Sequence, residues 1–147
     1  MGNVDLPQDY TKALELWHQA GELGYTEAIT NVGYFYDIGI GVERDEEKAM
    51  YHYELAAMKG DMLARHNLGL EEEKAGNMDR ALRHFMIAAG SGSSISLKVL
   101  KVLYSNGRVT KEDYTTVLRS YQAYLSEIKS PQRDKAAAAD DQYRYYD

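Results

Sequence analysis

The stretch that decides the fold is Asn31-Val32-Gly33-Tyr34-Phe35-Tyr36-Asp37-Ile38-Gly39-Ile40-Gly41-Val42-Glu43-Arg44-Asp45-Glu46-Glu47-Lys48-Ala49-Met50-Tyr51-His52-Tyr53-Glu54-Leu55-Ala56-Ala57-Met58-Lys59-Gly60. Ala49, Tyr53 and Ala56 follow the i, i+4, i+7 spacing of one buried helical face. Asp45 stands where an N-cap belongs, and Gly39 and Gly60 stand where helices should stop, since glycine takes the left-handed cap conformation without steric cost. The stretch therefore reads as the end of one helix, a glycine linker, and a complete second helix.

Working outward, the same pattern recurs. Asp9, Lys12-Ala13, Trp17 and Ala20 reappear 36 residues later as Asp45, Lys48-Ala49, Tyr53 and Ala56, and Ala81, Phe85 and Ala88 follow after a further 32. A second set of columns lies between these: Gly24, Gly60 and Gly92, then Ala28, Ala64 and Ser96, then Val32, Leu68 and Leu100. Gly33 and Gly69 come next, with Lys101 in the third copy. Repeats of this length are the mark of a helical array in which each unit buries its apolar face against its neighbours. Helices are expected near 9–22, 26–38, 45–58, 61–75, 78–89, 94–106 and 111–129, with Asp45 and Thr110 as N-caps and no sheet. The last helix should be the longest and should stop before Ser130-Pro131, because a residue preceding proline avoids helical geometry.

Composition agrees. The chain has 147 residues, and its two prolines, Pro7 and Pro131, leave the 123 residues from Gln8 to Ser130 free of proline. Ordinary usage would place roughly six there, and proline is the residue a helix interior tolerates least. With no cysteine, thiol catalysis, disulfide frameworks and cysteine zinc sites are excluded. A net charge of −6 argues against nucleic acid or an anionic membrane as partner. No apolar run approaches the roughly 20 residues of a bilayer span, and no signal core opens the chain, so the expectation is an intracellular, cytoplasmic, soluble protein.

The 31–60 stretch resembles the Sel-one-like repeat, a tetratricopeptide-like family whose unit reads A-x-x-x-L-G-x-x-Y-x-x-G-x-G-V-x-x-D-x-x-K-A-x-x-Y-x-x-x-A-A-x-x-G. Val32 stands for the leucine, and nearly every other signature position is filled. The resemblance covers about residues 5–106, with 107–130 as a divergent closing helix. It implies an all-α, right-handed α-solenoid of about three helix-turn-helix repeats plus a long C-terminal closing helix. Residues 1–8 would be an entry linker, 9–130 the solenoid, and 131–147 a polar, flexible tail rich in alanine and tyrosine. Two departures stand out. The middle repeat has Glu72 for tyrosine and lacks the Gly-x-Gly-Val linker, which accounts for 32 residues rather than 36. The chain also opens inside a unit, at the end of a linker, so either the first helix is an uncovered end or the chain is part of something longer.

The resemblance further implies a non-catalytic adaptor or scaffold that binds a protein or peptide segment in a concave groove, without cofactor or metal. The alternative is a structural module that self-associates or stacks through uncovered solenoid ends. Helices carrying the Leu-Gly motif would line the groove, with Trp17, Tyr53 and Phe85 packed behind them. The groove residues would then be Glu27, Thr30, Tyr34 and Asp37 in the first unit, Leu63, His66, Leu70 and Glu73 in the second, and Ile95, Lys98, Val102 and Ser105 in the third. Tyr34, Leu70 and Val102 share one position and would form an apolar stripe suited to an extended or helical peptide; the plainer account is that these side chains pack between repeats.

Charge is uneven. Residues 1–77 carry six basic and 15 acidic residues, whereas 78–111 carry six basic and one acidic. Arg80, Arg83, Lys98, Lys101, Arg108 and Lys111 form either a basic patch for an acidic segment or a solvated face. Metal binding is not expected, because the four histidines lack metal-site spacing, His52 and His84 being equivalent by repeat. Glu71-Glu72-Glu73 spread around a helix rather than converging as catalytic carboxylates.

Overall fold

A computed structural model describes the backbone of residues 6–143 and the side chains of residues 9–128. Seven helices follow in order among the described residues: α1 (Leu6–Glu22), α2 (Thr26–Ile38), α3 (Glu46–Met58), α4 (Met62–Lys74), α5 (Met78–Gly90), α6 (Ser94–Ser105) and α7 (Lys111–Tyr143). Each helix from α1 to α7 packs on the next, and α7 also packs on α5. The described residues contain no strand, and the architecture is an all-α solenoid.

Local chemistry sets the helix ends. Side chains of Asp45, Asp61, Ser93 and Thr110 accept hydrogen bonds from the backbone N–H groups of Lys48, Ala64, Ser96 and Asp113, at 3.0 to 3.2 Å. Each satisfies an amide that the first helical turn cannot. At the end of α3, Gly60 takes φ +97°, and the Asp61 N–H reaches the Ala56 carbonyl while the Gly60 N–H reaches that of Ala57, both at 3.0 Å. This pair of bonds closes the helix and turns the chain directly into α4.

Units pair a helix of the Leu-Gly type with the aromatic helix that follows it. α2 packs on α3 and α4 on α5, because Gly33 lies beneath the Tyr53 ring and Gly69 beneath the Phe85 ring. A Cβ at these glycines would stand 2.8 Å and 2.6 Å from those rings. Two buried cores result. One joins Ile29, Ala49, Tyr53, Ala56, Ala57, Ala64 and Leu68; the other joins Ala81, Phe85, Ala89, Leu100, Val109 and Val117.

Three sequence expectations need correction. First, α7 does not stop before Pro131 but continues to Tyr143. A proline inside a helix removes one backbone hydrogen bond and crowds the preceding turn, and the Ala136–Ala139 run beyond it has the highest helix propensity of any residue type. Second, α1 begins at Leu6 rather than residue 9, which puts Pro7 in the first turn, where its missing N–H costs nothing. Third, Trp17 is not packed like Tyr53 and Phe85. Those two are fully buried, while Trp17 is 36 % exposed, since no glycine-bearing helix lies over it among the described residues.

The third unit departs from the other two. Lys101 replaces the glycine and is exposed, so α7 cannot approach α6 as α3 approaches α2. It leans on α5 instead, burying Val117 against the Phe85 core, while Tyr104 and Tyr114 stack at 4.6 Å between ring centroids.

Candidate interaction surface

The faces of α2, α4 and α6 turned away from the unit cores carry the candidate residues. Seven-residue spacing places Glu27 and Tyr34, Leu63 and Leu70, and Ile95 and Val102 in pairs two turns apart, roughly 10 Å along each helix. Five of these six are large apolar or aromatic residues, each between 36 % and 59 % exposed. A helix normally hides such side chains, and here they recur at one position on α2, α4 and α6 and at a second on α4 and α6. Glu27, Glu73, Lys98 and Ser105 are likewise exposed, and Asp37 is half-buried.

Thr30 and His66 do not belong to that surface. They are only 2 % and 5 % exposed, because they occupy the junction between one Leu-Gly helix and the next. The Thr30 hydroxyl donates to the carboxylate of Asp61, the N-cap of α4. One repeat on, His66 Nδ1 lies 2.7 Å from Ser96 Oγ in the first turn of α6, with its ring against Phe85. Burial lowers the His66 pKa below its ordinary 6.5. Lys98 takes the same column in α6 but stays exposed. Sequence reading missed this clasp because threonine, histidine and lysine share no chemistry that marks one column. The signals available were the capping Asp61 after Gly60 and the serine at Ser96 in a column that is otherwise alanine.

Beside the surface, Tyr53 Oη donates to the Asp37 carboxylate at 3.4 Å. Burial, and then Asp37, push the Tyr53 phenol well above its usual range. Glu71 is also raised, first by burial and next by the Asp37 charge, with partial relief from Lys74 at 3.3 Å. This end of the surface is therefore acidic and partly desolvated.

The six residues of the basic segment are all exposed. Arg80 and Arg83 lie on α5, Lys98 and Lys101 on α6, and Arg108 and Lys111 flank the turn into α7. The ion pairs formed among the described residues are Arg44 with Glu46 and Lys74 with Glu71, so the basic side chains face solvent. Arg80 and Arg83 point away from α4, on the side of α5 opposite Phe85. The six therefore spread over more than one face.

A cleft of about 470 Å³ opens between α1 and α3, floored by Ile29 and Val32 and walled by Trp17, Tyr51 and Leu55. His18 and His52 meet there at 5.7 Å between ring centroids, and Tyr36 stacks on His52. His52 Nδ1 donates to the Lys48 carbonyl at 2.7 Å, and burial is the main cause of its lowered pKa. These histidines are inter-helix packing groups. No cluster of three or more histidine, cysteine, aspartate or glutamate side chains forms among the described residues, and no described helix is long and apolar enough to cross a membrane.

Comparison with known proteins places this geometry. The Sel1 repeat model matches residues 1–25 and 26–61; the second match spans α2 and α3, one complete unit, and the first ends with α1. A Sel1 repeat protein from Oxalobacter formigenes is similar at 27 % identity and a TM-score of 0.63, over 78 % of this chain and 50 % of that one. A protective antigen present in uropathogenic Escherichia coli strains, displaying an SLR fold, is similar at 24 % identity and a TM-score of 0.60, over 90 % of this chain and 29 % of that one. The second likeness concerns the fold alone. The chain spans half the length of the first relative and under a third of the second.

Proposed function

Because residues 1–61 match the Sel1 repeat model and the fold is similar to that of a Sel1 repeat protein, we propose that the chain is a Sel1-like repeat protein acting as a non-catalytic adaptor that binds a protein or peptide segment along the groove formed by α2, α4 and α6. Sel1 repeats are in general a protein-interaction type of repeat. The observation that carries the finer reading is the recurrence of exposed Tyr34, Leu70 and Val102 at one column, reinforced by Leu63 and Ile95 two turns away. A segment laid across the three helices would cover all five at once, burying apolar surface that now faces water. Glu27, Asp37 and Glu73 at the first two units and Lys98 at the third would fix its direction by charge.

The reading is tested by affinity capture with wild-type protein and with Leu70→Asp and Val102→Asp variants. Both positions are solvent-facing, so the variants should retain wild-type helical circular dichroism and lose the captured protein. Variants that fold normally and retain every captured partner would refute the groove.

A further inference from the structure

The joint where α1 meets α3 carries chemistry that the groove does not use. Column by column, His18, Tyr36, Lys48 and His52 at the α1–α3 joint correspond to Glu54, Glu72, Arg80 and His84 at the α3–α5 joint. The two joints share one histidine column and differ in what surrounds it. At the α3–α5 joint, burial and then Arg65 lower the His84 pKa, while Glu72 and Glu54 act in the opposite sense and favour its charged form. At the α1–α3 joint, a second histidine and a tyrosine take the places of those two carboxylates. His18 and His52 meet at 5.7 Å between ring centroids, Tyr36 stacks on His52 at the same distance, and Lys48 Nζ lies 5.4 Å from the centre of the Tyr36 ring.

Packing differs as well. Gly21, Ile29, Leu55 and Lys59 line the cleft of about 470 Å³ between α1 and α3, whereas the same columns, as Ala57, Arg65, Ile87 and Ser91, line a hollow of only about 60 Å³ between α3 and α5. Arg65 is longer than Ile29 and Ala57 larger than Gly21, so the second joint is filled where the first stays open. α1 therefore lies beside α3 across a gap bridged by rings, and sparse packing of this kind favours local opening.

Protonation acts on that gap. Burial is the main cause of the lowered His52 pKa; the bond to the Lys48 carbonyl raises it in part, and His18 and Lys48 lower it again. Across the joint, the groups that face the pair are Tyr36 on α2 and Lys48, Tyr51 and Lys59 on α3, and none of them is a carboxylate. Glu15 and Glu22 flank His18 by one turn, but both are exposed and sit on α1 itself, so they travel with this helix and do not hold it to α3.

From this contrast we infer that the α1–α3 joint is an acid-operated hinge: protons taken up by His18 and His52 drive α1 away from α3, while the α3–α5 joint, where Glu54 and Glu72 offset the charge on His84, stays closed. Two like charges in a partly desolvated joint repel, and opening gives each imidazolium access to water. The open form binds more protons, so opening grows as pH falls below about 6.5. It turns the buried Ile29 and Val32 toward solvent. The hinge does not depend on what fills the groove.

Hydrogen exchange of the full chain from pH 7.5 to pH 5, followed helix by helix and corrected for intrinsic rates, tests the order of events. The opening constant of α1 should rise by up to about tenfold per pH unit for one proton and up to about a hundredfold for two, with a smaller rise in α5. His18→Glu gives His52 the acidic partner that Glu54 gives His84, and should abolish the rise in α1. Trp17 is the one tryptophan and walls the cleft, so its emission should titrate over the same range in wild type and stay flat in His18→Glu. Opening of α5 at the same pH as α1, a result that needs no variant, would overturn the hinge. So would an equal acid response in wild type and His18→Glu.

Discussion

Gly69 on α4 lies so close to the Phe85 ring on α5 that a Cβ at this position would stand 2.6 Å from the nearest ring carbon. The same relationship joins Gly33 to Tyr53. A missing side chain on one helix and an aromatic on the next thus define the first two units, and the α2 and α4 parts of the surface are positioned by that contact.

Gly69→Ala should therefore destabilise the protein although alanine is the better helix former. Helix propensity favours the change by about 1 kcal/mol, while overpacking against a buried ring costs about 1–3 kcal/mol. A net loss of about 1 kcal/mol is expected in urea or thermal unfolding. Phe85→Leu should cost less in the Gly69→Ala background than in wild type, because the two changes relieve one clash. Strict additivity would show that the ring does not set the helix spacing.

Asp61 joins two functions, capping α4 through the Ala64 N–H at 3.1 Å and receiving the Thr30 hydroxyl from α2. Asp61→Ala removes both acceptors and leaves a buried hydroxyl with one fewer partner. It should cost about 1–2 kcal/mol. Asp61→Asn retains an acceptor and a good N-cap, so it should cost less than half as much. Hydrogen exchange should speed up first in α2 and α4; an equal loss for both substitutions would speak against the clasp.

Stability should fall as the solution is acidified below about pH 6.5, the ordinary histidine value. His66, His52 and His84 all have lowered pKa values in the fold, chiefly through burial. Between the folded and unfolded pKa values the unfolded chain binds more protons, so stability rises with pH across that window and is lost below it. His66→Gln retains hydrogen-bonding capacity toward Ser96 without titrating. The drop in melting temperature between pH 7.5 and pH 5 should be smaller in this variant; an identical drop would assign the titration elsewhere.

Most of this fold was legible because its repeats carry residues whose physics is positional. Gly33, Gly69, Tyr53 and Phe85 announce close helix approach, and Asp45 and Thr110 announce helix starts, so six of the seven helices begin within one residue of where the pattern puts them. The surface was only partly legible. Periodicity puts Tyr34, Leu70 and Val102 at one exposed column, since in the first two units the neighbouring Gly33 and Gly69 fix which side of the helix meets the aromatic ring. It misplaces Thr30 and His66, since these sit at a helix edge where the next unit decides burial, and nothing within one helix encodes that neighbour. The exposed state of Trp17 was hidden for the same reason, as its column is buried wherever a Leu-Gly helix covers it. The passage of α7 through Pro131 shows a local breaker overridden by the helix formers beyond it.

Glu71 supplies the last test, with the opposite pH sign. In the unfolded chain its carboxyl ionises near 4.5, whereas in the fold burial and the Asp37 charge hold its proton to higher pH. Between those values the folded chain binds the extra proton, so stability declines as pH rises through the window. Glu71→Gln removes the charge while leaving an amide that can donate toward Asp37. The variant should melt above wild type at pH 7.5, and the difference should shrink toward zero near pH 4, where wild-type Glu71 is itself neutral. Lys74 offsets part of the cost in wild type, so a Lys74→Ala background should widen the difference at pH 7.5. A gap independent of pH would mean that Glu71 acts through packing rather than through charge.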